Sequence, residues 1–111
     1  MNLIKVAATS RTSSVAGAIA GVVREQHRVE VQAIGAGAVN QAMKAIIVAT
    51  GYLKLDGIDV HCVPEFADVT IEDKVRTAIK LVVEPLHSFN ITTESTPAAH
   101  SQVPPDSSVV G

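Results

Sequence analysis

Five hydroxyls and one guanidinium crowd into Thr9-Ser10-Arg11-Thr12-Ser13-Ser14. The stretch follows a short apolar run and precedes residues at helical spacing. It therefore reads as a turn from the carboxyl end of a strand to a helix N-terminus, with serines placed to cap the helix. Free N–H groups and the helix dipole favour an anion at such a point. The fork of Arg11 suits phosphate. Ser10, Arg11, Thr12 and Ser13 thus form a candidate phosphate-contacting set; the plainer alternative is an ordinary capped turn with one solvated arginine.

A second candidate is Gly35-Ala36-Gly37 with Asn40 and Gln41. In a parallel βαβ pair both strand-to-helix turns lie on one edge of the sheet, so Arg11, Ser13, Gly35, Gly37 and Asn40 can converge there. The dinucleotide fingerprint is incomplete, because Asn40 takes the third glycine position, and no Gly-Lys-Ser/Thr of a Walker loop follows. The alternative is that the glycines only permit a tight turn and close helix packing.

His61 and Cys62 are neighbours in a strand pattern and point to opposite faces, so they form no nucleophile–base dyad. Cys62 shares a face with Ile58 and Val60 and reads as a buried filler. His61 is expected on the open sheet face with Asp59. His27, His87 and His100 lack metal-ligand spacing. No nucleophile, base and orienting group assemble, so the expectation is a protein that is not an enzyme and uses no metal or cofactor.

The elements that position these groups alternate in type. Leu3–Ala8 reads as a first strand, and Val15, Ala18, Ile19, Val22 and Val23 recur at helical spacing until His27. Residues 29–34 alternate like a half-buried strand. A second helix runs from about Val39 to Tyr52. Strands are expected over Ile58–Val63 and Val75–Glu84, the latter with Val75, Thr77, Ile79, Leu81 and Val83 on one face. Between them lies a long, mostly acidic hairpin connection around Phe66–Lys74. The order β-α-β-α-β-β gives an α+β two-layer sandwich, with two helices on one face of a four-stranded mixed sheet. On the last strand Arg76 and Lys80 face one way, a side open to Lys5 of the first strand as well; Glu30, Asp59 and Glu84 are able to neutralise that face, so a binding face and a solvated one stay open.

Helix two is apolar nearly all round. Val39, Met43, Ile46 and Ile47 form one stripe, widened by Ala42, Ala45, Val48, Ala49 and Tyr52. Burial on two sides is expected, once by its own sheet and once by a second subunit, with Val39, Met43, Ile46, Ile47 and Tyr52 at a homodimer interface. Helix one carries a small face, Gly17, Ala20 and Gly21, open to close helix approach within or between subunits.

Composition sets the bounds. The 111 residues carry nine Lys and Arg, eleven acids, one Cys and no Trp. Residues 1–86 hold all nine cations and nine of the acids; 87–111 hold Glu94 and Asp106 among Ser, Thr and Pro. The domain is thus 1–86, and 87–111 reads as a disordered tail. The net charge of -2 belongs to that tail, which excludes nucleic-acid coating by bulk positive charge but leaves contact through a local basic edge. Tyr52, Phe66 and Phe89 form no stacking platform for single-stranded bases. The lone cysteine excludes an internal disulfide. With no signal-peptide pattern and no long apolar run, a cytoplasmic protein with no membrane partner is expected.

Three segments, Ser14–Glu25, Val31–Ala45 and Arg76–Pro85, resemble the stage V sporulation protein S family, and the resemblance runs from residue 1 to about 86. It implies an Alba-like fold, a dimeric or higher assembly, and a nucleic-acid-binding regulator associated with sporulation. Alba-like proteins turn the segment after strand one, helix two and the last hairpin toward nucleic acid. The positions carried over are Arg11 with its hydroxyls, Lys44, Lys74 and Arg76. The acidic hairpin departs from basic, chromatin-like members. Two other readings stay open: a protein-interaction module that binds no nucleic acid, and a pocket for a small phosphorylated ligand at the glycine edge.

Overall fold

Val29, Val31 and Ala33 are buried while Glu30 and Gln32 between them are half-buried, the pattern of a strand with one face on the core. The computed structural model describes residues 2–86; the tail, with His87, Phe89 and His100, lies outside the described residues. Its elements are β1 (Leu3–Val6), α1 (Thr12–Gln26), β2 (Val29–Ala33), α2 (Ala36–Leu55), β3 (Val60–Ile71) and β4 (Lys74–Pro85). The β-α-β-α-β-β order and the α+β class stand as read from the sequence. Strand order in the sheet is β1-β2-β4-β3. β1 and β2 are parallel, whereas β4 pairs antiparallel with both β2 and β3.

The register explains the aliphatic core. Val29 faces Val83, Val31 faces Leu81 and Ala33 faces Ile79 across the β2–β4 pair. Ile19, Ala20 and Val23 of α1 and Ala42, Ala45, Ala49 and Leu53 of α2 close over that face. The alanines let α2 approach α1 closely, and Leu53, with Ile19, is among the largest fully buried side chains. Short residues under long helices compensate for the missing aromatics.

Several boundaries differ from the sequence reading. β1 stops at Val6, because Ala7 starts a turn in which the Ser10 N–H donates to the Ala7 carbonyl at 3.0 Å. α1 begins three residues earlier than the apolar spacing implied, since its first turn, half-buried Thr12 and exposed Ser13 and Ser14, carries no apolar periodicity. It ends where expected, with His27 as a left-handed cap at φ 61°. α2 is longer at both ends than Val39–Tyr52.

The largest difference is the last hairpin. The long connection expected around Phe66–Lys74 is strand: β3 and β4 pair from Val60 with Pro85 to Ile71 with Lys74, and only Glu72 and Asp73 turn. Both have positive φ, 50° and 66°, the geometry of a two-residue turn that matches strand twist. Pro64 sits within β3, an edge strand where a missing N–H is tolerated. β2 pairs only with Ile79–Val83 of β4, so Ala67–Ala78 stand beyond that region as a two-stranded arm.

Candidate nucleic-acid interface

The two strand-to-helix turns meet. A Cβ at Gly37 would stand 3.0 Å from the Cβ of Ala8, so α2 begins against the β1–α1 turn at a distance only glycine fits without displacement. Gly35 caps α2 at φ 92°, a conformation that favours glycine. Gln41 ties the turns together: its amide donates to the Ser10 carbonyl at 2.7 Å and to the Thr12 hydroxyl at 3.2 Å. Sequence reading placed Gln41 beside the site and gave it no role. Its contacts join residues about thirty positions apart, which no local pattern reports.

The hydroxyls are used differently from the expectation. No serine caps α1. Arg11 occupies the N-cap position with extended backbone and no side-chain cap bond, and Ser10 Oγ accepts the Ala7 N–H at 2.9 Å instead. Ser10 shapes the turn, Thr12 is held by Gln41, and Ser13 is exposed in the first turn of α1. Neither α1 nor α2 has a side-chain cap at its N-terminus. The early N–H groups of two adjoining helices are therefore available at one end of the sheet, where the dipoles favour negative charge.

Among the described residues the cations divide into two groups. Arg24 bonds Asp56 at 2.7 Å, Arg28 bonds Glu84 at 3.1 Å and also Glu30, and Lys54 lies 3.4 Å from Asp59. Lys80 lies 3.4 Å from Glu65 and 4.0 Å from Glu30. Lys5, Arg11, Lys44, Lys74 and Arg76 belong to none of these pairs. Four of these five are the cations assigned above to nucleic acid. Arg11 stands at the β1–α1 turn, exposed Lys44 on α2, and exposed Lys74 and Arg76 on the arm, opposite Ile71 and Val69. Exposed Asn40 lies in the first turns of α2.

The open sheet face resolves as a neutralised one. Glu65, Lys80, Glu30, Arg28 and Glu84 form a connected chain of ion pairs, and His61 Nε2 lies 3.4 Å from Glu84 at its end. Hydrogen bonding from Arg28 holds the Glu30 carboxyl below the usual carboxylate range, and the same bond raises Arg28. Cys62 is half-buried at the edge of the core, where burial pushes its thiol up and disfavours the reactive thiolate. Among the described residues no group of three or more His, Cys, Asp or Glu is placed to hold a metal, and no helix is long and apolar enough to cross a membrane.

On α2, Ile46 lies in the core of its own subunit and Val39 packs against it. Met43, Ile47, Val48, Tyr52 and Leu55 stay exposed, Ile47 at 66% and Leu55 at 87%. Of the interface residues expected from sequence, Met43, Ile47 and Tyr52 remain on the outer face. Ala20 of the small face on α1 is buried, while a side chain at Gly17 or Gly21 would meet nothing within 4 Å.

The family model described as Stage V sporulation protein S (SpoVS) matches residues 2–86. The match spans the described fold and stops where β4 has just ended.

Proposed function

The chain belongs to the stage V sporulation protein S family, a family named for sporulation, and on that premise we propose that it is a non-enzymatic, oligomeric, nucleic-acid-binding regulator. The observation that carries the proposal is the partition of cations. Among the described residues Arg24, Arg28, Lys54 and Lys80 lie within 4.0 Å of carboxylates, whereas Arg11 at the β1–α1 turn, Lys44 on α2, and Lys74 and Arg76 on the arm do not, nor does Lys5. Arg11, with the N–H groups of two uncapped helix starts beside it, takes a phosphate of the backbone. Lys44, Lys74 and Arg76 add sequence-independent contacts. The near-neutral domain limits the number of such contacts, so affinity is modest and salt-sensitive.

The second subunit covers the outer stripe of α2. Met43, Ile47, Tyr52 and Leu55 are large apolar side chains of one helix left exposed, more than a lone small domain commonly leaves in water. The same stripe favours a protein-interaction module as the second reading. Titration of labelled DNA and RNA at several salt concentrations separates the two. Under the leading reading binding weakens with salt, and Arg11→Ala lowers the slope by about one. Unchanged affinity of Arg11→Ala, or a flat salt response, removes the phosphate role, and capture of a protein partner that nuclease does not affect favours the second reading. Light scattering coupled to gel filtration tests the assembly: a monomer at tens of micromolar contradicts it.

A further inference from the structure

A groove of about 360 Å³ opens where the arm comes back over the end of the sheet. Lys5 and Gln32, neighbours across the β1–β2 pair, line it from the sheet, and Val69, Thr70 and Ile71 line it from the arm. Ile34, just after β2, and Ala38, in the first turn of α2, contribute apolar wall, and Ala7 and Ala8 contribute the opening residues of the turn that carries Arg11.

We propose that this groove receives one unpaired nucleobase of a single-stranded nucleic acid whose backbone phosphate lies on the β1–α1 turn. The inference rests on the phosphate reading above and adds the class of nucleic acid. Three features of the lining select such an occupant. Aliphatic Val69, Ile71 and Ile34 offer surfaces that hold a flat ring between them, a task apolar side chains share with aromatic ones in sites that take an extruded base. The Gln32 amide offers both a donor and an acceptor, which suit the edge of a base. Lys5 belongs to no ion pair among the described residues, and Arg11 stands three residues beyond Ala8, so the occupant is anionic close to its ring. A nucleotide unit has an apolar face, a hydrogen-bonding edge and a phosphate in that arrangement. A base held in a duplex has its faces stacked and its pairing edge engaged, and enters only after leaving the helix.

Three labelled probes of equal length, binding the full chain in fluorescence anisotropy, test the assignment: a single strand, the same strand with abasic sites, and a duplex. The single strand is expected to bind at least about fivefold tighter than the abasic strand. Gln32→Leu, which keeps the bulk but removes the amide, is expected to bring that ratio toward one and leave the salt slope unchanged. Arg11→Ala should lower the salt slope on every probe and preserve the ratio. Equal affinity of the wild-type protein for base-bearing and abasic strands overturns the base site while leaving the phosphate reading intact. Failure of all three probes to bind at low salt overturns the phosphate reading, and the base site with it.

Discussion

The two ends of this sheet use charge in opposite ways. Where α1 and α2 finish and β3 starts, Arg24, Arg28 and Lys54 are each within 3.4 Å of a carboxylate, and those links tie helix to helix and strand to strand. Where α1 and α2 begin and the arm projects, Arg11, Lys74 and Arg76 have no such carboxylate among the described residues, and Glu72 and Asp73, in none of the pairs there, sit at the arm's tip. A cation already held by the fold gains little from a new phosphate, because the old partner must be given up. A free one gains the whole contact. Counting basic residues along the chain therefore overstates the binding surface.

The largest test of this comparison acts on geometry. Gly37→Val places a branched side chain where even a Cβ is 3.0 Å from Ala8. It is expected to cost about 1–3 kcal/mol in denaturant unfolding and to weaken nucleic-acid binding by separating the two turns. Full stability in that variant would show that the turns need not be so close.

A smaller effect is expected at the tip. Replacing Glu72-Asp73 by Asn-Gly suits the positive φ of both positions and is expected to raise stability by about 1 kcal/mol. The same change removes two carboxylates from the arm, so nucleic-acid affinity should rise and its salt dependence steepen. Unaltered affinity would show that the arm does not approach phosphate.

The smallest effect concerns pH. The Glu30 carboxyl is held below its ordinary value of 4.5 by the Arg28 hydrogen bond, so its contribution to stability is present above about that pH and is lost as pH falls through the lower folded value. Acid unfolding of Arg28→Ala should lack that part of the pH dependence, and Arg11→Ala should keep it. Equal acid profiles for the two variants would erase the distinction between paired and free cations.

How much of this was legible in the sequence follows from the range of the interactions. β2 and the end of α1 came from period-two and helical spacing, and Gly35 and Gly37 drew attention as breaks. The arm was missed because Pro64, Asp68 and Glu72-Asp73 carry loop chemistry. They are tolerated in an edge strand and a two-residue turn, and edge status is a property of the sheet, not of the segment. The inward side of Ile46 and the outward side of Ile47 were indistinguishable on a helix apolar nearly all round. The capping role expected of serine is left unfilled, because Ser10 is drawn into its own turn and Thr12 toward Gln41.

The sequence by itself determined the element order, the aliphatic core, the balanced charge of residues 1–86 and the membership of the family, since all depend on local spacing and composition. Tertiary structure alone decided which cations are free, how far the hairpin projects and where a groove opens. Each depends on side chains brought together from distant positions, such as Arg28 with Glu84 or Gln41 with Ser10, and pairing across that separation is fixed by packing rather than by the order of residues along the chain.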